Sequence, residues 1–253
     1  MSNYTIRRVP EDGLRFYEVL DGNNVIAKLP SVTTILSETK DKSGLDKWRK
    51  KVGEEEADRI SRLAMNRGTI MHRLIELYKP IDGDKKYKLN ELKKISKLDE
   101  EVNQFSEDPE GKLFLSEAWK FFMKFYFNSS NFFDRVDNVV LAEEFLWTTT
   151  QHGWAGTVDN VSKMVNGDIL IIDYKNSRKP KRDEWIQDYY MQAAAYWIAY
   201  WDRCGIKANG AEIWIANEID SIPQCFSLTQ DDLKFYFQEF IKRRNSFYEK
   251  FNI

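Results

Sequence analysis

Between Thr5 and Leu29 apolar and polar positions alternate, and the alternation breaks at Glu11-Asp12-Gly13 and at Asp21-Gly22-Asn23-Asn24. A period of two marks half-buried strands and the breaks carry turn residues, so the segment predicts a meander of three strands. Pro30 and Ser31 then open a short helix with Ser31 as its N-cap. Further on the period lengthens, and helices are predicted over 45–65, 68–78, 90–105 and 113–127. Strands return over 139–147, 154–164 and 168–174, and a helix over 182–203 crosses to a strand over 211–216. A short strand near Cys225 and a helix over 229–251 complete the pattern. Helices before and after a mixed central sheet predict an α/β (α+β) fold with its site at the sheet edge. The simplest division is one domain over 1–253: a β-meander over 1–30, a helical wall over 31–130 and a core carrying the chemistry over 131–253.

The strand ending at Asp173 changes what this pattern can do. Ile169-Leu170-Ile171-Ile172 reads as a buried run, so Asp173 is a carboxylate at a buried strand end and needs a partner. Residues two apart on a strand share a face, which puts Lys175 beside it. The preceding hairpin turns at Asn166-Gly167. A tight two-residue turn there would pair Asp159 with Tyr174 and send the two aspartates to opposite faces. A three-residue loop, Val165-Asn166-Gly167, with Gly167 left-handed in a bulge, sets Asp159 opposite Asp173 instead. Shared chemistry between the carboxylates requires the bulged turn, which is the expectation adopted.

Composition narrows the class. A net charge of -2 with 14% aromatic residues excludes a disordered tail and makes any nucleic-acid surface local. Two cysteines, Cys204 and Cys225, are too few for a disulfide framework or a four-cysteine iron–sulfur cluster. No secretory pattern is visible over 1–13, and the apolar stretch over 191–201 is too short to span a bilayer, so an intracellular, cytoplasmic protein without a membrane partner is expected. There is no phosphate-binding loop of an ATPase; unwinding of a duplex would fall to a partner.

Gly156-Thr157-Val158-Asp159, Ile171-Ile172-Asp173-Tyr174-Lys175-Asn176-Ser177 and Gln192-Ala193-Ala194-Ala195-Tyr196, in that order, resemble the PD-(D/E)xK nuclease superfamily, in its RecB-like branch. Within the branch, Pro30 to Leu36 and Asp173 to Lys181 look most like the mitochondrial genome maintenance exonuclease family and its phage relatives. Asn176 stands where the branch usually has Thr. The resemblance implies a restriction-endonuclease-like core and a metal site of Asp159, Asp173 and the Tyr174 carbonyl. Hard divalent cations favour such oxygens, which makes magnesium or manganese the expected cofactor. Lys175 would hold or deprotonate the nucleophile.

The same resemblance favours Glu144 as a third carboxylate, given an even-numbered loop around Gln151-His152, with Glu143 pointing away. His72 lies beside the apolar stripe of Met71, Leu74, Ile75 and Tyr78, where a lone histidine can be packed, solvated or a ligand. The branch implies a ligand, because a Gly-x-x-x-His helix there sends its imidazole to the metal. Gln192 and Tyr196 are one helical turn apart, with small alanines between them to let the helix lie close on the sheet. Gln192 is expected to position substrate or a carboxylate, and Tyr196 to support it.

For DNA contact the candidates are two basic stretches, 40–51 with Trp48 and Arg49, and 178–182 with Arg178 and Lys179 after Ser177. Arg67 and Arg73 flank Gly68 and His72, and the helix start at Ser31 and Thr33 offers backbone donors. The expected activity is a DNA exonuclease acting on single strands from an end, in recombination, repair or replication. A helicase, recombinase or single-strand-binding protein would be its partner. An endonuclease of the same fold and a non-catalytic nucleic-acid-binding module are the rivals.

Overall fold

The structure is a computed structural model and describes residues 4–81, 84–97, 99–127, 132–148 and 152–253. Strands β1 (Tyr4–Glu11), β2 (Leu14–Asp21) and β3 (Asn24–Pro30) form the expected antiparallel meander. Asp12 and Gly13 both take positive φ between the paired residues Glu11 and Leu14, the geometry of a two-residue turn whose twist suits a hairpin. Helices α1 (Val32–Glu38), α2 (Ser43–Val52) and α3 (Glu54–Tyr78) follow. The short helices α4 (Leu89–Leu92) and α5 (Glu100–Asn103) and the longer α6 (Gly111–Tyr126) complete the helical wall. The rest is β4 (Val136–Trp147), β5 (Ala155–Met164), β6 (Ile169–Ser177), α7 (Gln187–Cys204), β7 (Gly210–Asn217), β8 (Gln224–Thr229) and α8 (Gln230–Phe251).

Four helix boundaries differ from the sequence reading: the helix expected from 182 begins at Gln187 after a short turn at Asp183–Trp185, and three others change for local reasons. The first long helix divides at Gly53, which takes φ +89° and ends α2. Gly68, expected to separate two helices, sits inside α3; a Cβ there would come within 2.9 Å of Asn176 Nδ2, so its smallness lets α3 approach β6. The helix expected over 90–105 is broken into short turns. Within it, the Asp99 side chain accepts from Val102 N and starts a new helix.

The main sheet has the order β4-β5-β6-β7-β8, with only β6 and β7 parallel, joined by α7. Strand alternation divides the core in two. Ile171, Ile213 and Ile215 face α7 and α8 with Trp154, Trp197 and Phe240, whereas Ile172, Tyr174 and Trp214 face α3 and α6 with Phe121, Phe122 and Phe125. The mixed α/β architecture matches the expected class. Register between β5 and β6 runs from Lys163↔Ile169 to Asn160↔Ile172, and Gly167 has φ +92°. This is the register of the three-residue loop, and its next position sets Asp159 against Asp173.

Candidate metal-dependent nuclease site

The site lies where β5 and β6 part. Regular pairing stops at Asn160↔Ile172, and the Tyr174 N–H donates instead to Asp159 Oδ2 at 2.8 Å. Asp159 thus replaces a backbone acceptor with one oxygen and turns the other toward His72, whose Nδ1 lies 3.7 Å from Oδ1. Asp173 is 2% exposed, and neither of its oxygens accepts a well-directed hydrogen bond among the described residues. Lys175 Nζ stands 2.5 Å from Asp173 Oδ2 and is the nearest compensating charge. Burial pushes the Asp173 carboxyl up to about 6 against the opposing pull of Lys175. Burial also disfavours the Lys175 ammonium, but the facing charges of Asp173 and Asp159 outweigh it and raise its pKa above the ordinary lysine value.

His72 reaches the opening from α3. Its Nε2 lies 2.9 Å from the Tyr174 carbonyl oxygen and its Nδ1 3.1 Å from Glu143 Oε1. A carbonyl and an ionised carboxylate only accept, so the ring donates from both nitrogens and is an imidazolium in this arrangement. Burial works against that charge, but Asp159 and Glu143 raise the pKa to about 9.

The third carboxylate is Glu143, and this corrects the expectation of Glu144. Pairing of Ala142 with Asn160 and of Glu144 with Val158 leaves Glu143 opposite Asp159, where its backbone takes φ +48°. The connection between the paired Trp147 and Ala155 has an odd number of residues, the reverse of the parity assumed. Glu144 consequently lies on the other face and is exposed. Residues 149–151 of that loop, Gln151 included, lie outside the described residues.

On α7, Gln192 and Tyr196 are buried one helical turn apart. The Tyr196 ring lies against Gly156, where a Cβ would stand 2.6 Å from its hydroxyl oxygen. Tyr189, overlooked in the sequence, places its ring centroid 5.3 Å from Lys175 Nζ. Its spacing of three residues before Gln192 was the available signal.

The positions expected to meet DNA separate into two groups. Arg67 is 3% exposed, donates to Asn176 Oδ1 and Glu218 Oε1 at 2.8 and 2.9 Å, and lies over Phe121. Arg49 is paired with Glu54 and Asp58, and Arg73 with Glu76 and Asp99. Each of the three therefore already faces a carboxylate: those of Arg49 and Arg73 lie within the helical wall, and that of Arg67 just beyond β7. Ser31 is buried as the N-cap of α1, accepting from Thr34 N, while Thr33 is exposed beside it. Ser177 is buried and donates to the Lys179 carbonyl; Arg178 and Lys179 are exposed, and Trp48 is half-buried.

The donor set fits a divalent cation. One ligand atom each from His72, Glu143 and Asp159 falls within a 4.8 Å cluster, with the Tyr174 carbonyl on His72; Asp173 lies outside that cluster and interacts with the charges of Asp159 and His72. Carboxylates and a lysine on adjacent strands, with a histidine from a facing helix, suit metal-assisted hydrolysis of a phosphodiester. The chain matches the PD-(D/E)XK nuclease superfamily over residues 42–240 and belongs to that superfamily. Membership supports metal-dependent nuclease chemistry and a restriction-endonuclease-like reading of the mixed sheet. A solved structure titled "Crystal structure of SSO0001" is 13% identical, covering 69% of this chain and 84% of that one at a TM-score of 0.31. No curated protein matches the chain. No described helix is long and apolar enough to cross a membrane.

Proposed function

We propose that the protein is a magnesium- or manganese-dependent exonuclease of the RecB-like branch, hydrolysing single-stranded DNA from an end. The carrying observation is the convergence of Asp159, Asp173 and Lys175 at the parting of two strands, backed by Gln192 and Tyr196 from α7. Asp159, Asp173, Glu143 and the Tyr174 carbonyl would hold the cation, joined by His72 once its imidazolium gives up a ring proton. When bound, it acidifies a water and offsets charge on the phosphate. Lys175 orients the attacking water and meets the charge that grows on the phosphate oxygens. Gln192 and Tyr196 hold α7 against β5 so that the carboxylates keep their spacing. Single strands would be supplied by a helicase, recombinase or single-strand-binding protein during recombination, repair or replication.

The test is digestion of linear and circular single-stranded DNA of one sequence in magnesium. Loss of the linear form with survival of circles is expected. Rapid nicking of circles would replace the exonuclease with an endonuclease, and binding without cleavage in magnesium or manganese would leave only a nucleic-acid-binding module.

A further inference from the structure

We propose that the groove beyond Lys175 is a single-strand binding site: unpaired bases stack on Trp185 and Trp48, and Arg178, Lys179 and Lys181 hold the phosphates. This assignment rests on the nuclease reading above. The groove is a cavity of about 750 Å³, lined by Trp48 of α2, by Asn176 and Ser177 of β6, and by the loop that carries Arg178 to Lys181 and Trp185. Asn176 and Ser177 follow Lys175 at the end of β6, so the groove begins at the end of the strand that carries the site.

Three observations carry it. The first is charge. Arg49, Arg59, Arg62, Arg67 and Arg73 of the helical wall are each paired with a carboxylate. Arg178, Lys179 and Lys181 have no ion-pair partner among the described residues. The groove's own carboxylate, Glu218, is held by Arg67, whereas the cavity of about 580 Å³ beside His72 is lined by Glu76, Glu101 and Glu143, with Arg73 already engaged. Phosphates are attracted to one side of the site and repelled from the other.

The second is Trp185, 57% exposed on a short turn at Asp183–Trp185, with the Arg182 guanidinium 5.1 Å from its ring centroid. Arg182 is itself paired with Glu184 at 3.8 Å, and a large indole presented to solvent in the loop of Arg178, Lys179 and Lys181 suits base stacking with cation–π support. Its faces can stack only on a base that has left its duplex, which makes the occupant a single strand.

The third is rigidity. Gln224 of β8 grips the backbone of Lys181 twice, accepting from its N–H at 2.7 Å and donating to its carbonyl at 2.8 Å. Ser177 holds the Lys179 carbonyl at 2.7 Å, and the Tyr190 hydroxyl donates to Asp183 at 2.6 Å. A loop fastened this way loses little freedom when a strand binds.

The test measures binding of a labelled oligothymidine strand by fluorescence anisotropy in EDTA, and cleavage by the same proteins in magnesium. Trp185→Ala should weaken binding roughly 5- to 150-fold, without changing the salt dependence, while Trp185→Phe stays within a few-fold of the parent. Lys179→Ala and Arg178→Ala should each flatten the plot of log affinity against log salt by about 0.7. Unchanged melting of Trp185→Ala separates lost stacking from misfolding; a shifted melt transfers the decision to Trp185→Phe and the salt slopes. A parent that cleaves single strands while Trp185→Ala binds them equally well overturns the groove alone. A parent that neither binds nor cleaves overturns the nuclease reading with it. Competition by blunt duplex as effective as by single strand would overturn the single-strand assignment.

Discussion

Gly156→Ala is the sharpest test of how α7 is seated on the sheet. A methyl group at that position would lie 2.6 Å from the Tyr196 hydroxyl oxygen, 3.0 Å from Cε1 and 3.2 Å from Cζ, all on a ring that is fully packed. Either the ring or α7 must move, and overpacking of this kind costs about 1–3 kcal/mol. For a chain of this size that is roughly 3–10 °C in Tm. The nearest clashing atom is the hydroxyl oxygen, which Tyr196→Phe deletes at a cost of about 1 kcal/mol for the hydrogen bonding of a buried hydroxyl. In the double variant the 2.6 Å contact is gone, so its loss of stability should fall short of the summed single losses by about 1 kcal/mol or more. Urea denaturation of the four proteins in EDTA measures the cycle. Strictly additive losses would mean that the ring does not lie on Gly156, and the seating of α7 on β5 would have to be abandoned with it.

Other substitutions separate roles that the sequence alone would merge. Glu143→Gln should lower cleavage by ~10–100-fold, while Glu144→Gln on the exposed face leaves it unchanged; the reverse order in a rate assay would restore Glu144. Asp173→Ala or Lys175→Ala should abolish cleavage yet bind single strands in EDTA like the parent, because the phosphate contacts lie in the neighbouring groove. EDTA should stop the reaction, magnesium or manganese should restore it, and calcium should give little turnover; undiminished cleavage in EDTA would exclude the mechanism. Asp159→Ala should destabilise the metal-free protein by ~1–3 kcal/mol by stranding the Tyr174 N–H, which Asp173→Ala does not do, and thermal melts in EDTA would show the difference.

Much of the fold was legible because its signals are local. Alternation marked the meander, Asp12-Gly13 marked its first turn, and the demand that two aspartates face each other selected the register that Asn160↔Ile172 displays. What escaped depends on partners distant in sequence or on parity. Two glycines of one helical region behave oppositely: Gly53 adopts positive φ and ends a helix, whereas Gly68 stays helical because Asn176, more than a hundred residues later, presses on it. Arg49 of α2 and Arg67 of α3 read as DNA contacts, but Arg49 meets Glu54 and Asp58, and Arg67 meets Glu218. Charge is visible in a sequence; its neutralisation across the fold is not. Glu143 was lost to a single-residue parity error, since one residue more or less between β4 and β5 exchanges the faces of neighbouring glutamates.

The parting of β5 and β6 explains why the chemistry sits here and not elsewhere along the sheet. An ordinary ladder would occupy the Tyr174 N–H and carbonyl and bury the Asp173 side chain in a closed layer. Here the Asp159 side chain takes the N–H, and the carbonyl is left to His72 from the opposite helical layer. The opening therefore gathers groups from both faces of the sheet, which strand alternation would otherwise keep apart. The buried Asp173 carboxylate is tolerable without hydrogen-bond donors because Lys175 stands against it and a cation can join from the open side. The same irregularity that interrupts the sheet's hydrogen bonding thus assembles its ligand set, and β6 carries the chain straight on from Lys175 into the groove of unpaired cations.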